Sequence, residues 1–212
     1  MEKIKKRIAN LKVAGKLKVY QMTVLVMTVF LVLVALISTA VIRSNIEKIT
    51  EVWSPSLEYL QDLETMTAKY RIKQYQHLVS SDAATMNSCE EEIQKLESQI
   101  KDTSAKLNKI IEADRKAQKG KDDYEAASSA WEGYRANSDE ILQLSRDNKQ
   151  QEAAKLMIGE VYENYTSFAD KLTKLCDRFQ VELDQAKTMA NVCTVIIFIV
   201  IVAAGLAIAV VT

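Results

Sequence analysis

Residues Ile46–Ser81, IEKITEVWSPSLEYLQDLETMTAKYRIKQYQHLVSS, decide the fold. Ile46, Ile49 and Trp53 recur at spacings of three and four, and Leu60 and Leu63 continue the row. Such a row is one stripe of a helix, and a seam near period 3.5 means helices packed side by side. Beyond Leu63 the spacing persists but the chemistry changes, to Thr67, Tyr70, Gln74, His77 and Ser81, flanked by Lys69, Arg71 and Lys73. A polar group taken out of water costs a few kcal/mol unless it is satisfied, roughly 1 to 3 in proteins. The polar half of this seam must therefore face polar groups of a neighbouring helix, water or a ligand.

The same rhythm runs through Ile93, Leu96, Ile100, Leu107 and Ile110, through Tyr124, Trp131, Tyr134 and Ile141, and from Val161 through Tyr165, Phe168 and Leu172 to Leu183. Four helices follow, joined by short polar breaks: SSDAAT (Ser80–Thr85) with N-cap residues, QKGKDD around Gly120 with a C′ glycine, and SRDNKQQ (Ser145–Gln151) with Asp147 and Asn148 as cap candidates. Short connections make neighbours antiparallel. The expected rods end near Ser80, Lys119 and Arg146, and the last runs unbroken from about Lys149 to Val211. Ser54-Pro55 reads as a local kink or restart, because proline suits a helix's first turn. This layout sets Cys89 and Cys176 roughly 30 Å apart, too far for a disulfide.

Outward from the bundle lie two uncharged stretches, Met22–Ile42 and Val192–Val211, each long enough to cross a bilayer as a helix. No Ala-x-Ala cleavage site follows the first, so it reads as an uncleaved anchor. The chain carries 28 basic and 28 acidic residues. Before Met22, however, stand Lys3, Lys5, Lys6, Arg7, Lys12, Lys16 and Lys18 against Glu2 alone. The positive-inside rule puts that end in the cytoplasm. The expected organisation is a cytoplasmic segment 1–21, a first span 22–42, an extracytoplasmic bundle 43–191 and a second span 192–211, in a two-pass plasma-membrane protein. No output domain is expected within the chain.

The acidic middle argues against nucleic acid, which needs a basic stripe. One histidine, with no phosphate-binding glycine loop, Gly-x-Ser-x-Gly or His-Glu-x-x-His, argues against an enzyme, and no catalytic residue is expected. His77, Cys89 and Glu90–Glu92 could gather at one depth around a metal, but that needs converging ligands, and a solvated acidic face is the favoured reading. No metal and no cofactor is expected. By depth along the rods, Thr67–His77 lies opposite Met157–Tyr165, which supplies Tyr162, Asn164 and Tyr165.

Two stretches carry a resemblance: SPSLEYLQDLETMTAKYRIKQYQHLVSSD (Ser54–Asp82) and ASSAWEGYRANSDEILQLSRDNKQQEAAKLMIGEVYENYTSFADKLTKL (Ala127–Leu175), with its Trp131/Tyr134 pair, polar turn and Glu152-Ala153-Ala154 helix start. In these the chain resembles the four-helix-bundle sensor half of bacterial methyl-accepting chemotaxis proteins, a module also found on some sensor kinases. The resemblance implies a chemotaxis signal-transduction role for a homodimer that detects a small solute, an amino acid or organic acid, directly or through a solute-binding protein. It also implies ligand binding across the dimer interface by arginines on the distal first helix, to which Arg71 corresponds. The expected ligand-binding set is Arg71, Gln74, His77, Tyr162, Asn164 and Tyr165. Two readings stand beside it: a membrane-anchored helical bundle that binds another protein, and the sensor module of a kinase.

Overall fold

The computed structural model describes residues 13–211. Most of the basic N-terminal segment, including Lys3, Lys5, Lys6, Arg7 and Lys12, lies outside the described residues. All regular structure among the described residues is helical. Helix α1 (Val13–Lys48) passes through a π-helical turn, Ile49–Trp53, into α2 (Ser54–Val79). Then come α3 (Ala83–Ala113), a 3-10 turn (Ala117–Gly120), α4 (Lys121–Arg135), α5 (Ser138–Arg146), α6 (Gln150–Ile158) and α7 (Glu160–Val211).

The described residues fall into two compact units, 48–184 and 13–47 with 185–211. The second holds α1 and the end of α7. Both carry stretches long and apolar enough to cross a membrane, with side chains such as Phe30, Leu36, Phe198 and Ile199 exposed. The first unit is the helical bundle. Its rods are α2, α3, α4 with α5, and α6 with the first half of α7.

The expected rod ends hold to within a residue or two at Val79 and Arg146, and four local details differ. Pro55 is not among them: it sits in the first turn of α2, directly after the π-helical turn, as a helix restart. The second rod ends at Ala113, earlier than Lys119, because Asp114 Oδ1 accepts from the amides of Lys116 (2.7 Å) and Ala117 (3.0 Å) and starts a new turn. Gly120 is not a left-handed C′ residue: at φ −92° it leads straight into α4. The third rod breaks at Ala136-Asn137, where Asn137 Nδ2 donates to the Gly133 carbonyl at 3.1 Å and competes with the backbone ladder. The last rod, expected unbroken, divides at Gly159, one of the poorest helix formers. At the SSDAAT break Asp82 is the N-cap, accepting from the amides of Ala84 (3.3 Å) and Thr85 (2.9 Å), and at SRDNKQQ Asn148 takes the left-handed conformation, φ 61°.

The lower core is apolar. Trp53 packs on Phe179, ring centroids 5.5 Å apart, among Leu60, Leu107, Ile111 and Leu175, all fully buried. Each such side chain contributes about 1.5 to 3 kcal/mol. Gly120 lets the 3-10 turn close on this layer: a Cβ there would lie 2.6 Å from Leu175 Cδ1 and 3.1 Å from Phe179 Cε1. At Gly133 an added Cβ would meet only half-buried Asn164, at 3.3 Å.

These two glycines give opposite expectations. Gly120→Ala should destabilise the protein by about 1 to 3 kcal/mol through overpacking. Gly133→Ala should be neutral or stabilising, since alanine gains up to about 1 kcal/mol over glycine in a helix interior. Thermal unfolding followed by circular dichroism reads both; equal losses would contradict the packing described.

Candidate functional site

Above Leu63 the row along α2 leaves the apolar layers. Thr67, Tyr70, Gln74 and His77 are all buried, and each finds partners. Thr67 Oγ1 donates to the Leu63 carbonyl one turn below at 2.7 Å. Tyr70 Oη donates its single proton to Glu97 Oε1 at 3.0 Å and lies 2.7 Å from Ser138 Oγ, whose hydroxyl donates to it. Gln74 Nε2 donates to the same Ser138 Oγ at 2.8 Å, while Gln74 Oε1 accepts from the Tyr134 hydroxyl. At the tip, His77 Nε2–H donates to Glu90 Oε1 at 2.9 Å, and Nδ1 lies 2.9 Å from Ser145 Oγ. Arg146 Nε also donates to Glu90 Oε1, at 2.7 Å, and its Nη2 reaches Asn87 Oδ1.

The electrostatics follow from this burial. Desolvation raises the Tyr70 and Tyr134 phenols far above their ordinary range, so both stay neutral donors. Arg146, and then His77, hold the Glu90 carboxyl below the usual carboxylate range, so it stays an anionic acceptor. The polar half of the α2 seam is thus a satisfied string between α2 and the α3–α5 side.

The expected site residues separate accordingly. Gln74 and His77 belong to this string; both are fully buried with their polar atoms engaged in the core. Asn164 lies against Gly133 of α4 and makes no hydrogen bond to Arg71 among the described residues. Arg71, Tyr162 and Tyr165 do come together, on the side of α2 that meets α7. The Arg71 guanidinium carbon lies 4.7 Å from the ring centroids of both Tyr162 and Tyr165, and 5.4 Å from that of Tyr75. Arg71 Nη2 donates to Tyr75 Oη at 3.1 Å, and its enclosed Nε has no acceptor. No carboxylate pairs with Arg71 among the described residues. Burial also raises the Tyr165 phenol, so no phenolate neutralises the cation. Each cation–π contact is worth about 0.5 to 2 kcal/mol, so the tyrosines hold the guanidinium without cancelling its charge.

Sequence reasoning missed Tyr75, Ser138 and Ser145. Tyr75 was legible as the residue four after Arg71, on the same helix face. Ser138 and Ser145 stand seven apart in the row that contains Tyr134 and Ile141. That row turns polar at the depth where the α2 row does. His77 and Cys89 were weighed as metal ligands; Cys89 is buried, and no metal-holding cluster occurs among the described residues.

The Ser138 hydroxyl, which links Gln74 to Tyr70, makes the string cooperative. Ser138→Ala strands the buried Gln74 amide and should cost about 1 to 3 kcal/mol. In that background Gln74→Met should cost less than in the wild type, by about 1 kcal/mol or more. Thermal unfolding of the four proteins of the cycle measures this, and strict additivity would contradict the hydrogen bond.

No curated protein matches the chain. A family pattern described as a four helix bundle sensory module for signal transduction matches residues 10–192, which covers the whole bundle and the helix leading into it. The chain therefore belongs to the four-helix-bundle sensory modules of methyl-accepting chemotaxis proteins.

Proposed function

We propose that this sensor module detects a small anionic solute, an amino acid or organic acid, at Arg71, and passes the change along α7. The observation that carries the reading is the Arg71 cation: ringed by Tyr75, Tyr162 and Tyr165, with no carboxylate partner among the described residues and with Nε lacking an acceptor. A guanidinium takes a carboxylate through paired N–H donors, and aromatic faces fix its plane beforehand. Gln74, His77 and Asn164 support this site from the core and from α4 rather than touching the ligand.

The location suits a sensor. Tyr162 and Tyr165 stand in the first two turns of α7, just past the Gly159 break, and α7 is the helix that continues through Val192–Val211. A carboxylate at Arg71 competes with the tyrosine faces for the cation. It therefore favours arrangements of α7 in which those contacts are looser. A ligand biases signalling only by such differential affinity for two states.

The same reading has the chain cross the plasma membrane twice, with residues 43–191 outside and the basic end in the cytoplasm, and associate as a homodimer through α2. The uncharged spans and the basic flank support that topology. Exposed Ile72, beside Arg71 on α2, supports the self-association. Binding to a solute-binding protein, or to another protein altogether, are the outcomes left if no solute binds.

Calorimetry of the full chain in lipid nanodiscs against amino acids and organic acids tests the proposal. A carboxylate ligand should bind, and Arg71→Ala should weaken it by about ten- to a hundredfold, because a charge-assisted bond is worth about 1.5 to 3 kcal/mol. Lys109→Ala should leave binding unchanged. Equal losses in both variants would remove Arg71 from the site.

A further inference from the structure

On the opposite side of the bundle from Arg71's tyrosines, α3 and α4 do not close. A groove of about 640 Å³ opens between them. Its floor is core: Leu63, Ile100, Trp131, Phe168 and Leu172. The cause is legible in the side chains that should fill it. On α3 the apolar row skips from Ile100 to Leu107, with Ser104 between, and on α4 Ala127 and Ser128 stand one turn before Trp131. Small residues facing each other on both helices leave the volume of several large side chains unoccupied.

The groove has a defined frame. At one end Tyr124 Oη donates to the Ser104 carbonyl at 2.8 Å, tying α4 to α3. At the other, Arg135 pairs with Glu132 at 3.1 Å and with Glu97 at 3.9 Å. Lys101 is the remaining charged side chain on the rim, so two cations balance two carboxylates. The volume falls in the range of small-molecule sites, which are apolar clefts carrying a few placed polar groups. Arg135 meets both rim carboxylates and Lys101 stands exposed to solvent, so an ionic ligand would give up its hydration for at most a screened surface contact. An uncharged planar ring would cover the exposed edge of the core, and its hydroxyls would meet Ser98, Ser104 and Ser128.

We propose that this groove is a second ligand site, for a neutral single-ring aromatic molecule bearing hydroxyl groups. It lies within one bundle and uses none of the residues around Arg71, so it stands or falls independently of that site. Binding bridges α3 to α4 over the gap their small residues leave.

The chain contains two tryptophans, Trp53 in the lower core and Trp131 in the groove wall. Trp53→Phe therefore leaves Trp131 as the sole indole reporter. In the full chain in nanodiscs, 4-hydroxybenzyl alcohol should change Trp131 emission saturably, with a dissociation constant of about 1 mM or tighter. The anionic isostere 4-hydroxybenzoate should bind at least about tenfold more weakly here. Filling the groove by Ser104→Phe or Ser128→Leu should weaken the response at least about tenfold, while Arg71→Ala leaves it unchanged. Circular dichroism checks the fold of each variant, and if Ser104→Phe does not fold then Ser128→Leu decides. A linear response that never saturates would overturn the site by showing partition into lipid. So would undiminished binding in the folded filling variants, loss of the response in Arg71→Ala, or equal affinity for the benzoate.

Discussion

A helix can place polar side chains in a core only where the neighbouring helices supply their partners, and α2 sets that requirement for the whole bundle. Tyr70, Gln74 and His77 occupy positions that Leu60 and Leu63 occupy lower down. Each would cost about 1 to 3 kcal/mol if left without partners. Ser138 and Ser145 on α5, Tyr134 on α4, and Glu90 and Glu97 on α3 are where they are because these groups must be met. An apolar lower half is indifferent to small slips between helices; a hydrogen-bonded upper half is not. The string fixes the register in which α2 faces the α3–α5 side.

Once the α2 row is committed to the core, the charges flanking it face outward. Lys73 finds Glu92 at 2.9 Å, whereas Arg71 finds three tyrosine rings and no carboxylate among the described residues. A buried network and an uncompensated cation thus stand one residue class apart on the same helix: Tyr70 and Gln74 point inward, and Arg71 between them meets α7. A satisfied core network and a cation without a carboxylate partner among the described residues therefore lie at the same depth. The Gly159 break adds to it, since it places Tyr162 and Tyr165 at the start of α7 rather than in the middle of a longer rod.

Much of this was legible beforehand. The spacing of Ile46, Trp53, Leu60 and Leu63 and of the matching rows sufficed for four rods, and the cap residues of Ser80–Thr85 for the α3 start. The depth count brought Arg71 to Tyr162 and Tyr165 because rise per residue is nearly constant in helices. The breaks at Asn137 and Gly159 were not legible, because both residues are tolerated inside helices and the outcome turned on single local contacts. For Gln74 and His77 a one-dimensional row shows that a position is inward and polar, not which neighbour satisfies it. Ser138 and Ser145 held that answer, but a serine in a helix usually faces solvent, and only its coincidence in depth with α2 sets it apart.

The central claim is that the polar upper half of α2 divides between a closed core string and a half-buried cationic face toward α7. Single cysteines at positions 70, 71, 74 and 77, in a chain whose three native cysteines are replaced by alanine, test it directly through labelling by a membrane-impermeant maleimide in intact cells. The account predicts rapid labelling at 71 and strong protection at 70, 74 and 77. Comparable labelling at all four positions, or protection at 71 with labelling at 74 and 77, would contradict it.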